Sequence, residues 1–226
     1  MSAENGGFAA DSGAEAKARS GSEGESSKQG KNKLQALLQA AVEKKPFSEL
    51  FDVSLDYRGA ALIGDALLDA LEKRGFTLNN FDAVGALTAA AVPMVTAVMH
   101  AAYARGRELD GFVMDFVYPS IKGPSIASKR VVLLDSWLSE KSYVQTSSLV
   151  TLRNGNELSL DFSVVEHEGA KVVAIASLIG GVSGDADSNS IKVINPVSGE
   201  ECNLPFIMAF DEDELRDSTA MAKKAD

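Results

Sequence analysis

The hydrophobic positions of this chain change their period several times between residues 31 and 210. In "NKLQALLQAAVEKK" (32–45), Leu34, Leu37, Leu38 and Ala41 share one helical face, and Pro46 closes the element. "SLDYRGAALIGDALLDALEKRG" (54–75) repeats that spacing with Leu62, Ile63, Leu67, Leu68 and Leu71, and Gly75 supplies a C-terminal stop. "FDAVGAL" (81–87) predicts a short buried strand. "TAAAVPMVTAVMHAAYARG" (88–106) predicts a third helix, with Pro93 in its opening turn. "LDGFVMDFVY" (109–118) and "KRVVLLD" (129–135) are apolar runs of strand length, and "WLSEKSYVQTSS" (137–148) reads as a polar insertion. The turn Arg153-Asn154-Gly155-Asn156 then predicts a helix over 156–168 that Gly169 ends, followed by a central strand in "AKVVAIASLIG" (170–180). "IKVIN" (191–195) and "LPFIMAF" (204–210) read as edge strands around a "PVSGEE" turn.

Strands alternate with helices, and the strands are apolar throughout instead of alternating with polar positions. That combination predicts an α/β fold with a mostly parallel central sheet flanked by helices on both faces. Ligands of such sheets sit beyond the carboxyl ends of the strands, which singles out Thr88, Tyr118, Asp135 and the turn around Gly155. Residues 1–30 are rich in Gly, Ser and mixed charge and predict a disordered tail; the domain is read as 31–215, with 216–226 as a C-terminal tail.

Composition narrows the partners. Against 22 Lys and Arg stand 32 Asp and Glu, a formal charge of −10, which disfavours nucleic acid and anionic membrane surfaces. Any phosphorylated ligand would need local cations to overcome that background. The single cysteine, Cys202, cannot form an internal disulfide, and no His/Cys cluster suggests a metal cage. With no signal-like apolar run near the start and no apolar stretch long enough to span a bilayer, a cytoplasmic protein is expected.

Taken in order, several stretches resemble the orotate phosphoribosyltransferases, the actinobacterial ones especially. "LDYRGAALIGDAL" resembles that family's Asp-x-Arg segment and following helix, and "VGALTAAAVPMVTAVMHA" its first strand, pyrophosphate loop and helix. "GFVMDFV" and "KRVVLLD" resemble the next two strands. "GNELSLDFSVVEHEGAKVVAIASLI" resembles the end of the phosphate loop with its helix and strand, and "LPFIMAFDEDEL" the C-terminal strand; the likeness covers roughly residues 33–215. The resemblance implies a type I phosphoribosyltransferase fold, a homodimer, Mg²⁺ as cofactor if the chain is active, and a phosphoribosyl or nucleotide ligand. In that chemistry the protein holds a highly anionic sugar diphosphate, with cations on the leaving group and turn amides on the 5′-phosphate.

Position by position, much of that equipment is exchanged. Asp115 and Phe116 stand where the family has Arg-Lys, Lys122 is the one cation between there and Lys129, and the double-acidic strand end becomes Asp135-Ser136. The pyrophosphate-loop glycine is replaced within Ala89-Ala90-Ala91, and the phosphate turn reads Arg153-Asn154-Gly155-Asn156. Counted forward from Asp135 that turn would instead fall in "DSWLSEKSYV"; counted back from Gly169 it is "RNGN", which helix length favours. The candidate ligand-binding residues are therefore Asp135, Ser136, Arg153, Asn154, Gly155, Asn156 and Thr88, with no catalytic residue and no metal ligand assigned. Three functions are expected in turn: a divergent member with weakened or lost catalysis and a ligand-binding or regulatory role; an active transferase making orotidine 5′-phosphate; or a protein-interaction scaffold acting through 137–148.

Overall fold

The computed structural model describes residues 12–43, 50–115, 120–139, 151–153, 157–181 and 190–217. Its helices are α1 (Ser12–Val42), α2 (Phe51–Ser54), α3 (Tyr57–Lys73), α4 (Val92–Ala104) and α5 (Ser163–His167), with a 3₁₀ turn at Ala89–Ala91. The strands are β1 (Ala83–Ala86), β2 (Asp110–Met114), β3 (Ile121–Lys122), β4 (Arg130–Ser139), β5 (Thr151–Arg153), β6 (Glu157–Ser159), β7 (Lys171–Gly181), β8 (Ser190–Ile194) and β9 (Glu201–Asp211). They form one nine-stranded sheet in the order β3-β2-β1-β4-β7-β9-β8-β6-β5. The β1–β2, β1–β4, β4–β7, β7–β9 and β6–β8 pairings are parallel, and β2–β3, β5–β6 and β8–β9 are antiparallel.

Two apolar clusters sandwich this sheet, which is why its central strands read as unbroken hydrophobic runs. On one face Leu34, Leu38, Ile63, Leu67, Met94 and Val98 of α1, α3 and α4 pack on Val132, Leu134, Ala174 and Ala176. On the other, Val165 of α5, Leu158 and Ile126 pack with Phe112, Val131, Leu133 and Ile175.

Local chemistry places the helices. Asp56 caps α3 by accepting the Arg58 amide, while its carboxylate also takes the Arg58 guanidinium at 2.9 and 3.1 Å. This pairing holds the Asp56 carboxyl down at about 2. Gly75 ends the helix at φ +84°, with open space where a Cβ would stand. Gly75→Ala therefore isolates the backbone penalty, and equilibrium unfolding is expected to show a loss of about 1 kcal/mol. Gly64 lets α3 approach α4 so closely that a Cβ would lie 2.1 Å from the Ala97 carbonyl oxygen.

The structure departs from the sequence reading in five places. Helix α1 starts at Ser12, so the boundary drawn at residue 30 falls inside it; Ser27 hydrogen-bonds Asp69 of α3, and Lys31 stacks over the Phe210 ring. The second domain boundary, at residue 215, falls inside the helical residues 212–217, where Leu215 is buried. "WLS" is the end of β4 and not an insertion: Trp137, Leu138 and Ser139 pair with Ile179, Gly180 and Gly181. Residues 140–148 of the supposed insertion lie outside the described residues. The helix expected over 156–168 is strand β6 followed by the short α5, because Leu158 and Leu160 are buried at strand spacing in "ELSLD". Finally, β8 and β9 are interior to the sheet, and the edges are β3 and β5.

Candidate functional site

Beyond the carboxyl end of β1 and within β4, three of the expected site residues meet. The Thr88 hydroxyl donates to Asp135 Oδ1 at 2.8 Å, and the Ser136 amide donates to the same oxygen at 2.6 Å. Thr88, Asp135 and Ser136 are all buried, Asp135 at 3% exposure. Asp135 does not stand at a strand terminus as its position after "RVVLL" suggests; β4 continues to Ser139. Leu134 packs on the helix side whereas Leu138 packs on the opposite side, so the side-chain alternation of β4 changes phase next to Asp135. Burial, opposed by hydrogen bonds from Thr88, Ser136 and the Trp137 amide, pushes the Asp135 carboxyl up to about 6.

The other half of the expected site is arranged differently. Arg153 ends β5 and pairs across an antiparallel ladder with Glu157, the first residue of β6. Asn154, Gly155 and Asn156 lie outside the described residues, as do Tyr118 and Tyr143. The flanking elements are strands, and α5 begins only at Ser163, where the Asp161 carboxylate accepts the Ser163 amide at 2.9 Å. A phosphate turn running straight into a helix is thus not what the chain around "RNGN" provides.

Among the described residues, two charged groups near the strand ends are paired within the chain. At the end of β2, Lys122 Nζ lies 3.4 Å from the Asp115 carboxylate. Past the end of β9, Glu212 is buried; it accepts the Trp137 indole N–H at 3.0 Å and lies 3.0 Å from the Arg216 guanidinium. Sequence reasoning missed Glu212, because "DEDEL" gives no sign that one of its four acids turns inward. It also missed Ser177, whose signal was available as the one polar residue within "VVAIASLIG". Ser177 is Asp135's partner in the β4–β7 register, is fully buried, and has no hydrogen-bond partner for its hydroxyl.

These residues do not suit Mg²⁺. Asp135 is a single carboxyl, not a pair, one of its oxygens already accepts two donors, and burial disfavours its ionised form. Among the described residues no group of three His, Cys, Asp or Glu side chains could hold a metal. Three cavities lined by described residues lie elsewhere, the largest about 690 Å³ between α1, α3 and α4, and none of the three touches Asp135. Among those residues no helix is long and apolar enough to cross a membrane.

No family model matches the chain. The orotate phosphoribosyltransferase of Streptomyces avermitilis is 30% identical to it over 184 residues, which cover 79% of this chain and 86% of that protein. The Streptomyces coelicolor protein of the same name is 28% identical over the same shares of both chains. Among solved structures, orotate phosphoribosyltransferase of Mycobacterium tuberculosis H37Rv in complex with inorganic phosphate matches with a TM-score of 0.54 at 22% identity, over 83% of this chain and 91% of that one. Its complex with 5-phospho-α-D-ribosyl 1-diphosphate matches at 0.53 and 24%, over 83% and 92%. A phosphoribosyltransferase from Corynebacterium diphtheriae matches at 0.54 and 24%, over 83% and 98%. These structural likenesses speak for the fold, a type I phosphoribosyltransferase sheet with flanking helices.

Proposed function

The chain belongs to the orotate phosphoribosyltransferase family, and from that premise we propose that it is a divergent member in which transfer chemistry is weakened or lost and a ligand-binding or regulatory role remains. The observation that carries this reading is the Asp115–Lys122 pair. The acid stands where the resemblance calls for a cation, and it occupies the one cation of that loop segment. A pyrophosphate leaving group is stabilised by positive charge that need not be rearranged as the bond breaks. A lysine already held by a carboxylate offers little of that. The buried Asp135 and the strands around "RNGN" support the same reading, since both alter surfaces on which ribose and its 5′-phosphate would rest.

The ligand we propose is a nucleotide or phosphoribosyl compound, in keeping with the 5-phospho-α-D-ribosyl 1-diphosphate bound by the Mycobacterium tuberculosis protein. Thr88, Asp135 and Ser136 would lie beneath it, with Arg153, Asn154, Gly155 and Asn156 as the remaining candidates. We carry the homodimer over from the resemblance, and sedimentation tests it; the cytoplasmic location is kept as part of the proposal. The second reading, an active transferase using Mg²⁺, is favoured by the 30% identity over 86% of the Streptomyces avermitilis protein.

One assay separates the two. With orotate, phosphoribosyl pyrophosphate and Mg²⁺, loss of orotate absorbance is expected to stay at the rate without protein, while calorimetry with phosphoribosyl pyrophosphate or nucleotides shows binding. Sustained turnover that Asp135→Ala abolishes would establish the active reading instead.

A further inference from the structure

β4, β7 and β9 lie side by side in the sheet, with β7 in the middle. A side chain that leaves the end of β9 reaches β4 only by crossing the end of β7. Glu212, one residue past β9, makes that crossing: its Oε2 accepts the indole N–H of Trp137 on β4 at 3.0 Å. The crossing point is Gly181, the last residue of β7. A Cβ there would stand 2.8 Å from Glu212 Oε2 and 3.0 Å from Ser139 Cβ, so the missing side chain is what leaves the carboxylate its place.

Both ends of this bridge are anchored. On the β9 side, Asp211 Oδ1 accepts the Asp213 and Glu214 amides at 2.9 and 3.0 Å and so caps the helical residues 212–217, and Leu215 is buried in the helix-side core. The Arg216 guanidinium lies 3.0 Å from Glu212 Oε1, and Glu212 itself is 1% exposed. Taking a carboxylate out of water is costly, and here contacts on both oxygens offset that cost. On the β4 side, Trp137, Ile179 and Phe210 form one row across β4, β7 and β9, and all three pack on the helix-side core. The backbone amides of Ser136 and Trp137 donate to Asp135. Trp137 therefore holds Glu212 by its side chain and Asp135 by its backbone. β4 changes phase beside Asp135, and past that break Trp137, Leu138 and Ser139 rejoin the ladder opposite Ile179, Gly180 and Gly181. A break of this kind re-aims the strand, so a contact beyond it is needed to fix where the later residues lie.

We propose that Glu212 is a positioning residue for the strand-end site: its clasp on Trp137 holds β4 in place beyond Asp135 and joins the C-terminal helical segment to the surface on which a ligand rests. What concerns a ligand depends on the nucleotide or phosphoribosyl reading given above; the clasp itself does not.

Two experiments on the full chain test this. The first needs no ligand. Hydrogen exchange, read residue by residue by NMR, compares the Ser136 and Trp137 amides with those of Val132–Leu134. In Glu212→Leu the former are expected to gain on the latter by roughly tenfold, because only the strand beyond Asp135 is released. Gly181→Ala, which keeps both partners and obstructs the crossing, is expected to do the same. Glu212→Gln keeps an oxygen for the indole and is expected to restore the ratio. Trp137 is the one tryptophan of the chain, so its emission should shift to the red in Glu212→Leu and Gly181→Ala and stay in place in Glu212→Gln. If Glu212 contributes only to overall stability, all these amides speed up together, the ratio stays where it was, and the proposal is overturned. An unshifted emission in both Glu212→Leu and Gly181→Ala overturns it as well. The second experiment is calorimetry with phosphoribosyl pyrophosphate, whose affinity is expected to fall by roughly fivefold in Glu212→Leu and to be retained in Glu212→Gln. Equal affinity in all three proteins overturns the positioning role. No binding to any of them, the unaltered chain included, counts against the ligand reading, and the exchange ratio then decides the clasp.

Discussion

Asp135→Asn is expected to make the protein more stable at pH 7, by about 2–3 kcal/mol, and to leave it nearly unchanged at pH 4. The direction follows from linkage. The carboxyl is held at about 6 in the folded chain against an ordinary value of 3.8, so the folded state binds its proton more tightly. Between those values folding takes up a proton, and the associated stability is fully present below about pH 4 and lost as pH rises through about 6. Two units of pKa correspond to roughly 3 kcal/mol, and some of that is recovered by imperfect hydrogen bonding of the amide. Asn keeps a carbonyl for the Thr88 hydroxyl and the Ser136 amide and carries no charge. The acids with depressed values behave oppositely: Asp56 and Asp82, each at about 2 beside an arginine, lose their contribution only as pH falls below about 4. The two windows therefore separate in one pH series of urea unfolding curves. A stability profile of Asp135→Asn parallel to wild type from pH 4 to 8 would show that the buried acid is not the source.

The second large effect concerns affinity. Asp115→Lys is expected to tighten binding of phosphoribosyl pyrophosphate by at least tenfold at low salt, and Asp115→Asn by less. Two unit charges about 4 Å apart interact by roughly 4 kcal/mol at an effective dielectric near 20, and tenfold needs only about 1.4 kcal/mol. Asn removes the acid that holds Lys122, whereas Lys adds a second cation beside it. The gain should shrink as ionic strength approaches 1 M, because the side chains at this strand end are partly exposed. Calorimetry at two salt concentrations checks both statements. Equal affinities in all three proteins would mean that the ligand rests elsewhere on the molecule.

The sheet-forming and helical segments with one clear period were legible before any coordinates. α3 and α4 came from their apolar faces and from Gly75 and Pro93, and β1, β2 and β7 from uninterrupted apolar runs. The failures share a cause: a short amphipathic stretch satisfies two periods at once. "ELSLDFSVVEH" has Leu158 and Leu160 at strand spacing and Val164 and Val165 on a helical turn, and the turn at Gly155 with the stop at Gly169 frames it as one helix. In the structure Leu158 lies in β6 with Leu160 just beyond its end, and Val164 and Val165 lie in α5. α1 was begun too late because glycine and serine disfavour helix locally, whereas Leu34 and Leu38 bury themselves fully and anchor the element from its C-terminal half. Of the site, Thr88 and Asp135 were legible from their place after apolar strands. Glu212 was not, because "DEDEL" does not show which acid turns inward; Ser177 stands out as the one polar residue of an apolar run, but its neighbour on the next strand does not, since register is not written in one strand alone.

The ladder between β4 and β7 joins Arg130 to Lys171 at one end and Ser139 to Gly181 at the other, the longest registered pairing among the described residues, with apolar side chains on both faces. Amide protons along it can meet solvent only when the whole fold opens. Deuterium should reach Val132–Leu134 and Ile175–Leu178 last, at the rate of global unfolding, while the exposed turn at Thr77–Asn80 takes it up first. Whatever sets the protonation of Asp135 therefore acts on the slowest-opening seam of the protein.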